Sequence, residues 1–573
     1  MSDAIVMGIN SVYHESSACV LSGSDVRAMV EEERLSRVKR AKPSRVDNAD
    51  VLPERAIRWC LDTAGVRADD VDFFALSYDP ELRSTPDEPY IEGDWGSPTG
   101  EAMFLDKIRS IPARLSELLG IDVTERVVWV PHHVSHASSA YFASPYDDAA
   151  ILSIDGIGEA ATVLLARGRG LDVEPLGEVM YPHSLGMLWE RCSMFVGLGL
   201  NDAGKIMALA GFGDPRFFGN EFEKLVQLTP DGFTVDTDYV AFRANRDRFD
   251  ELFGPPRPRD EDVSARDAHI AAALQTTTER IFVHLASILE RKTGLSKLCM
   301  AGGVALNCIG VDAIARETSF KDIFVQPAAN DAGTALGAAL YTAHTRAGVQ
   351  SRYVMRHPYL GPRFDDADVE AALRDSGIAF ERSADAPAEA ARRIAAGQVV
   401  GWFQGATELG PRALGNRSIL ADPRTPTSKE LINLLVKHRE YFRPFAPSVL
   451  EEHAFEWFHV PVRSISLGFM SFACAARADK AAHIPAVLHV DGTSRLQVVG
   501  RELNPRYHRL ISEFHALTGV PVVLNTSFNG PTEPIVNTPA DALRTFQTSG
   551  MDALVLGDYV VERRERRVRA TYS

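Results

Sequence analysis

Short apolar runs alternate along the chain with longer stretches in which apolar residues recur every three or four positions. Runs typical of strands occupy residues 4–9, 71–77, 125–131, 149–159 and 161–167. Helical periodicity marks the stretches PERAIRWCLDTAG and GEAMFLDKIRSIPARLSELLG, and it extends over residues 265–292. Strands that alternate with helices in this way predict an α/β fold.

The first residues predict a β-hairpin. The run AIVMGI ends at the turn-prone pair Asn10-Ser11, and a polar loop with His14 leads into SACVLS and VRAMVEEE. Turn residues between apolar segments of this length are typical of hairpins. The segment MSDAIVMGINSV has neither a basic region nor a cleavage site, so no signal peptide is expected.

A change in composition near residues 345–366 predicts a linker between two domains, residues 1–350 and 351–573. After the linker the chain restarts with an alanine-rich helix and the strand QVVGWFQG, and the second half is long enough for its own core. Residues 78–100 are rich in proline, glycine and acidic residues, with aromatic residues between them. They predict a surface insertion, either a lid over a substrate or partner, or a variable loop.

Charge and cysteine usage exclude several classes of protein. The net charge of −16 argues against nonspecific nucleic-acid binding, which needs a basic surface. The six cysteines form no CxxC pair, so neither a thiolate zinc site nor a redox dithiol is expected, and reduced cysteines suit the cytoplasm. No apolar run approaches the roughly 18 residues that cross a membrane, so no membrane association is expected.

The segment HHVSH places His132 and His136 four positions apart, which puts both imidazoles on one face of a helix. Asp331 lies in the glycine- and alanine-rich stretch PAANDAGT, where the backbone can approach a ligand closely. Two histidines and a carboxylate suit a catalytic metal with open positions. The alternative is two surface histidines and an unrelated aspartate.

The second half contains arginines and a lysine in loops rich in glycine, proline or asparagine. They are Arg412, Arg417, Lys437, Arg439, Arg443, Arg495 and Arg506. Arginine in a tight loop can bind phosphate or carboxylate oxygens through two N–H groups. The segment LNTSFNG at residues 524–530 follows an apolar strand and predicts an anion or nucleotide cradle. The alternative for each arginine alone is a solvated surface charge.

A series of motifs in the same order resembles the NodU/CmcH family of O-carbamoyltransferases over nearly the whole chain. They are YHESSA, EEERLSRVK, HHVSHASSAY, IDGIGE, GKIMALAGFG, AGGVALN, GPRALGNRS, VKHREYFRPFAPS, NPRYHR and LNTSFN. The resemblance implies an N-terminal actin-like ATPase module of the two-lobed ASKHA type, fused to a C-terminal YrdC-like α/β module. It implies an enzyme that makes carbamoyl-adenylate from carbamoyl phosphate and ATP and then carbamoylates an acceptor hydroxyl.

The resemblance also assigns roles to individual residues. The residues matched to an iron site are His132, His136, Asp155 and Asp331. The residues matched to ATP, Mg²⁺ and carbamoyl phosphate are Lys39, Gly204, Lys205, Gly302, Gly303, Asn307, Arg412, Arg417, Lys437, Arg443, Arg495, Arg506, Asn525 and Ser527. His14 matches the residue beside the acceptor hydroxyl, where a histidine can act as a general base. The metal is expected to be Fe(II) or a similar divalent ion.

The acceptor implied by the family is a small natural product, such as an antibiotic sugar or a macrolide. No nucleic-acid partner is expected, and the chain is expected to be a monomer or a homodimer. Two other functions stay open on the sequence alone. One is a transferase related to the tRNA threonylcarbamoyl enzymes, and the other is a non-catalytic actin-like nucleotide-binding protein.

Overall fold

The computed structural model describes residues 3–86, 88–200, 202–244, 248–462 and 464–563. The chain divides into two compact units. The first comprises Met1–Ser36, Arg40–Met355 and Pro461–Ser466, and the second comprises Arg37–Lys39, Arg356–Val460 and Leu467–Ser573. Three residues near the N-terminus therefore belong to the second unit. No helix of the described residues is both long enough and apolar enough to cross a membrane.

The first unit contains two five-stranded sheets with the same topology. The first sheet has the order β3-β2-β1-β4-β5, and the second has the order β12-β11-β6-β7-β8. In each sheet, the first three strands in chain order form an antiparallel meander. Two later strands then extend the sheet on the other side of the first strand and lie parallel to it. The strands are β1 (Ile5–Asn10), β2 (Ser17–Ser22), β3 (Asp25–Glu31), β4 (Phe73–Leu76), β5 (Val127–Trp129), β6 (Asp148–Ile154), β7 (Ala161–Arg169), β8 (Asp172–Met180), β11 (Lys297–Ala301) and β12 (Asp322–Val325), and a separate hairpin is formed by β9 (Val226–Thr229) and β10 (Gly232–Val235).

This repeated topology gives the first unit a two-lobed α/β organisation. Two helices connect the sheets, because α5 packs on the second sheet and α12 packs on the first, and the two helices contact each other. The helices are α1 (Glu32–Ser36), α2 (Glu54–Ala64), α3 (Pro98–Arg109), α4 (Ile111–Leu119), α5 (His132–Tyr141), α6 (Leu185–Phe195), α7 (Ala203–Ala210), α8 (Gly219–Leu225), α9 (Phe249–Phe253), α10 (Ala265–Thr293), α11 (Cys308–Glu317) and α12 (Thr334–Thr345).

The second unit is built on one mixed ten-stranded sheet with the order β13-β22-β21-β14-β15-β20-β16-β19-β18-β17. The strands are β13 (Phe380–Arg382), β14 (Val400–Phe403), β15 (Arg417–Ala421), β16 (Ala446–Leu450), β17 (Phe458–His459), β18 (Phe472–Ala476), β19 (Thr493–Val499), β20 (Val522–Ser527), β21 (Ala553–Leu556) and β22 (Tyr559–Glu562). The helices are α13 (Asp366–Ser376), α14 (Ala386–Ala395), α15 (Pro426–Leu431), α16 (Ala454–Trp457), α17 (Ala478–Ala481), α18 (Pro505–Thr518) and α19 (Pro539–Thr548).

The predicted α/β class and N-terminal hairpin are confirmed, with β1 antiparallel to β2. The long helix at residues 265–292 is α10, which begins with a capping box between Ser264 and Asp267. The structure refines two details of the sequence interpretation. The helical stretch at residues 100–120 is two helices that meet at Ser110. The predicted cradle at residues 524–530 begins inside a strand, because β20 continues to Ser527.

Candidate active site

Two histidines and two aspartates from distant parts of the sequence converge in the first unit. The possible ligand atoms of His132, His136, Asp155 and Asp331 all lie within 4.8 Å of one another. The Nε2 of His136 lies 2.9 Å from Asp155 Oδ2 and 3.4 Å from Asp331 Oδ1. The Nε2 of His132 lies 3.5 Å and 3.6 Å from the same two oxygens. One cation with bonds of about 2 Å fits among these atoms.

Local structure explains this convergence. Helix α5 begins at His132, so His132 and His136 lie one turn apart on the same face. Asp155 directly follows the buried strand β6. Asp331 begins the short 3₁₀ turn Asp331–Gly333, which leads into α12. Because α5 and α12 contact each other, the two histidines and Asp331 are brought together by helix packing.

The charges of this cluster favour a bound cation. Burial alone would lower the pKa of His136, but Asp155 and Asp331 raise it to about 9. Burial would raise the pKa of Asp155, but His132 and His136 hold it well below its usual range. The field that keeps a proton on His136 also attracts a divalent metal ion. Imidazole nitrogen and carboxylate oxygen suit Fe(II) and several other first-row ions without selecting one.

Two neighbours of this cluster were not predicted. Glu159 is buried, and its Oε1 accepts hydrogen bonds from the backbone N–H groups of His132 and Asp79, each at 2.8 Å. It therefore caps the N-terminus of α5 and fixes the helix that carries the histidines. The Nδ1 atom of His133 lies 2.8 Å from Ser153 Oγ. Burial and, to a smaller extent, the nearby histidines lower the pKa of His133 to about 3. His133 is thus a neutral structural residue.

His14 lies next to the same cluster, in the loop between β1 and β2. Its Nδ1 is 3.6 Å from Asp331 Oδ2 and 3.8 Å from Glu15 Oε2, and 28% of the side chain is exposed. The two oxygens of Asp331 therefore face different groups, one the paired histidines of α5 and the other His14. Burial would lower the pKa of His14, but Glu15 and Asp331 raise it above its ordinary value.

Further charged side chains surround His14. Arg40 Nη1 lies 4.0 Å from Glu15 Oε1, and the backbone N–H of Glu15 donates to the Arg40 carbonyl at 2.9 Å. Among the described residues, Glu15 Oε2 has no hydrogen-bond donor. On α6, burial raises the pKa of Glu190 to about 7, although His14 and Arg40 act to lower it. Glu15 lies within the motif YHESSA and Arg40 directly follows the motif EEERLSRVK, whereas nothing in the local sequence marks Glu190.

The described residues of the segment at 78–100 are for the most part exposed or half-buried, as expected for a surface insertion, but Tyr78 and Arg83 form a wall beside the His14 loop. Arg83 is 2% exposed and donates to both carboxylate oxygens of Glu101, at 2.8 and 2.9 Å. It also donates to the Glu159 carbonyl at 3.1 Å. Tyr13, the residue before His14, donates to the Gly158 carbonyl at 2.7 Å. The buried side of the segment thus adjoins the loop that carries the predicted base.

The glycine loops predicted to bind nucleotide fall into two groups. Gly302 and Gly303 follow β11, and a Cβ on Gly303 would lie 3.0 Å from Asp155 Oδ1. Lys205 follows Gly204 in the first turn of α7, where its Nζ lies 3.0 Å from Asp202 Oδ2.

Asn307 has a structural task that the sequence did not predict. Its Oδ1 accepts from Gly310 N at 3.0 Å, and its Nδ2 donates to Gln275 Oε1 at 2.9 Å. Asn307 therefore caps the start of α11, and its contact with nucleotide stays a prediction.

Gly302→Ala is expected to destabilise the first unit by about 2–4 kcal/mol, because Gly302 has a left-handed φ of +91° and its Cβ would lie 2.1 Å from the Ile154 carbonyl oxygen. Gly204→Ala is the control, since a Cβ there meets no atom within 4 Å and lies in a helix. We expect it to be neutral or to stabilise by up to about 1 kcal/mol. Urea unfolding of both variants checks this, and equal effects would contradict it.

In the second unit, basic side chains gather near the end of β20. Lys437 is 4% exposed, at the end of the π-helix Ile432–Lys437. Its Nζ lies 2.6 Å from the Ser527 carbonyl, 3.2 Å from Ser527 Oγ and 2.8 Å from Asn529 Oδ1. Burial, followed by the charges of nearby arginines and of Lys39, holds the pKa of Lys437 well below its usual range.

Arginines near Lys437 also lower the pKa of a neighbouring arginine. Burial and the charges of Arg443 and Arg495 lower the pKa of Arg439 to about 9. An open cavity of about 300 Å³ lies beside Arg439 and is also lined by Asn433, Leu434, His438 and Glu440. Lys437 is the buried member of this group, and the neighbouring positive charges disfavour its own charge, although Glu533 acts in the opposite direction. A group of cations around a buried lysine suits phosphate oxygens. The cluster consists of Lys39, Lys437, Arg439, Arg443 and Arg495.

Two residues that are predicted to contact ligand make contacts within the second unit. Arg417 is fully buried, and its guanidinium donates to the Gln404 carbonyl at 2.6 Å and lies 3.7 Å from the ring centroid of Phe403. Arg506 is 41% exposed and pairs with Asp558 at 2.9 Å. These guanidinium groups stabilise the second unit itself.

Asn525, on β20, contacts the loop that precedes β15, in which Arg412 lies. Asn525 is 1% exposed, and its Nδ2 donates to the Ala413 carbonyl at 3.0 Å, so it supports the loop instead of facing a ligand through this group. Glu408 holds the same loop, because its Oε1 accepts from the backbone N–H groups of Leu414 and Asn416 at 2.8 and 2.9 Å. Arg412 is half-buried between these anchored residues.

Two family models match the chain. The carbamoyltransferase N-terminus matches residues 5–340, and the carbamoyltransferase C-terminus matches residues 391–563. The chain belongs to the carbamoyltransferase family. It is therefore an enzyme that transfers carbamoyl groups, and the resemblance to NodU/CmcH-type O-carbamoyltransferases is confirmed.

Relatives of this carbamoyltransferase come from several bacteria. The nodulation protein NolNO of Sinorhizobium fredii is 40% identical over 97% of this chain and 80% of its own length. The 3'-hydroxymethylcephem-O-carbamoyltransferase of Streptomyces clavuligerus is 34% identical over 63% of this chain and 64% of its own length. Among solved structures, full-length HypF in its phosphate- and nucleotide-bound form has a TM-score of 0.33 at 12% identity, over 61% of this chain and 56% of that chain.

Proposed function

We propose that this carbamoyltransferase works in two steps at two sites. The cationic cluster of the second unit forms carbamoyl-adenylate from carbamoyl phosphate and ATP. The site at His14 in the first unit then transfers the carbamoyl group to an acceptor hydroxyl. In fold terms, we infer an actin-like first unit from its repeated sheets and a YrdC-like second unit from the resemblance alone.

The observation that carries this proposal is the group of basic side chains around the buried Lys437. Burial and like charges lower the pKa values of both Lys437 and Arg439. Keeping these positive charges close together therefore lowers the stability of the free protein. A bound polyphosphate would offset this destabilisation through charge-assisted hydrogen bonds. Both proposed substrates are phosphate esters or anhydrides, and Mg²⁺ would accompany ATP.

The first step balances with one water. Water cleaves carbamoyl phosphate to carbamate and phosphate, and a carbamate oxygen then attacks the α-phosphorus of ATP and displaces pyrophosphate. The product carries the carbamoyl carbon on a good leaving group, AMP. Adenylation is needed because the carbamoyl nitrogen donates electrons into its carbonyl carbon and makes it a weak electrophile.

In the second step, the acceptor oxygen bonds to the carbamoyl carbon, its proton goes to His14, and AMP leaves. His14 fits this role because it is partly exposed and lies beside the cluster of His132, His136 and two aspartates. A divalent metal held by those four residues, which we propose to be Fe(II), would offset negative charge on the departing phosphate. Glu15 and Asp331 favour the protonated imidazole that forms.

We propose a small natural product as the acceptor. The name of one relative describes O-carbamoylation of a hydroxymethylcephem, and the names of others place them in nodulation. Both the His14 loop and the wall at residues 78–100 would face such a molecule. Mass spectrometry of candidate hydroxyl compounds after incubation with carbamoyl phosphate and ATP would identify the acceptor by a gain of one carbamoyl group.

Arg443→Ala is expected to reduce carbamoyl-phosphate-dependent pyrophosphate release by about 10- to 100-fold, because one charge-assisted contact to phosphate is lost. A coupled pyrophosphate assay measures this. Arg374→Ala is the matched control, since Arg374 is 71% exposed and pairs with Glu370 on α13. Unchanged pyrophosphate release in folded Arg443→Ala would remove the cationic cluster from the first step.

A further inference from the structure

The chain leaves the first unit for three residues directly after α1. Helix α1 ends at Ser36, residues 37–39 belong to the second unit, and the first unit resumes at Arg40. Arg37 and Arg40 both have left-handed φ angles, +62° and +64°. Side chains other than glycine adopt this conformation only at a cost, so specific contacts must hold the segment in place.

Arg37 supplies those contacts within the second unit. Its Nη1 donates to the Ile535 carbonyl at 2.6 Å, and its Nη2 donates to the Pro534 carbonyl at 2.9 Å. The guanidinium also lies 3.4 Å from Glu533 Oε2 and 3.5 Å from Asp541 Oδ1. The planar fork of one arginine thus contacts two carbonyls and two carboxylates, and 21% of its side chain is exposed.

The same Glu533 organises the loop that contacts Lys437. Glu533 Oε1 accepts from the backbone N–H of Gly530 at 2.7 Å, and the Glu533 carbonyl accepts from Asn529 Nδ2 at 2.8 Å. Asn529 in turn accepts a hydrogen bond from Lys437 Nζ at 2.8 Å. Consecutive contacts therefore run from Arg37 through Glu533 and Asn529 to the buried lysine of the cationic cluster.

We infer that Arg37 is a positioning residue that holds Lys39 at the phosphate-binding cluster of the second unit. Lys39 follows Arg37 by two residues, a chain length of about 7 Å. The charge of Lys39 acts on Lys437 together with the charges of Arg439 and Arg443, while Glu533 acts in the opposite direction. Lys39 comes from a part of the sequence that otherwise builds the first unit, so the cluster depends on this anchor. The inference rests on the proposed use of the cluster for ATP and carbamoyl phosphate.

A double-mutant cycle on Arg37→Ala and Lys39→Ala tests the inference. Each single variant is expected to weaken ATP binding, measured by calorimetry on the full chain, by about 10- to 100-fold. The double variant is expected to bind ATP no more weakly than Lys39→Ala, because Arg37 acts through Lys39. Arg37→Lys should recover part of the affinity, since a lysine can still donate to the carbonyls of Pro534 and Ile535.

Arg45→Ala provides the matched control, since Arg45 is 60% exposed and pairs with Asp47 in the first unit. Its ATP affinity should equal that of the unchanged protein. Penalties of Arg37→Ala and Lys39→Ala that add in the double variant would overturn the inference, as would normal ATP affinity in Lys39→Ala. If the unchanged protein binds ATP but releases no pyrophosphate, the proposed function is wrong. The double-mutant cycle on ATP binding would still test the role of Arg37 in that case.

Discussion

His132→Ala and Asp331→Ala are expected to lose the bound metal and transfer to the acceptor while retaining carbamoyl-phosphate-dependent pyrophosphate release. Each substitution removes one of four ligand atoms that lie within 4.8 Å of one another. Loss of a residue that only orients a ligand weakens metal binding by about 10- to 100-fold, so loss of a ligand should cost at least as much. Elemental analysis of purified protein and an assay of carbamoylated product measure the two effects.

His284→Ala is the control for the metal experiment. His284 lies on α10, where its Nε2 is 2.7 Å from the Thr229 carbonyl, and it belongs to no ligand cluster of the described residues. This variant should keep the metal content of the unchanged protein. A stoichiometric metal that persists in the double variant of His132 and Asp331 would contradict the assignment of these four residues.

His14→Asn is expected to lower formation of carbamoylated product by about 10²- to 10⁴-fold, the usual cost of losing a general base. Carbamoyl-adenylate should still form and hydrolyse, so AMP should appear without product. Supplied carbamoyl-adenylate should not rescue this variant, because the missing group acts after adenylation. Chromatographic measurement of AMP and of carbamoylated acceptor in the same reaction shows whether the two products separate.

Arg412→Ala supplies the opposite arm of the His14 experiment. If Arg412 contributes only to adenylate formation, supplied carbamoyl-adenylate should restore product in that variant. Loss of both half-reactions in folded His14→Asn would show that one set of residues serves both steps. Failure of the adenylate to rescue Arg412→Ala would lead to the same conclusion.

The sequence alone was sufficient for features that depend on residues close together in the chain. The turn at Asn10-Ser11 between apolar runs identified the first hairpin, and the spacing of His132 and His136 placed both on one helical face. Asp155 could be joined to them only through the order of the motifs, because the spacing of residues carries no information about contacts between distant segments.

Side chains of the same type received different roles from burial. In the sequence, Arg417 and Arg443 both have glycine, proline or asparagine neighbours, and both are candidates for phosphate binding. In the structure, Arg417 is fully buried among backbone carbonyls, whereas Arg443 belongs to the cationic cluster and is partly exposed. Glu190 shows the reverse case, since only its placement on α6 brings it under the influence of His14.

By itself, the sequence determined the α/β class, the family and the short-range pairs of candidate ligands, because these follow from local periodicity and the order of motifs. The tertiary structure decided which charges share a site. It paired the two sheets of the first unit without any tandem sequence repeat, and it placed residues 37–39 in the second unit. These features arise from packing between residues far apart in the chain, where burial and charge depend on neighbours that no local pattern specifies.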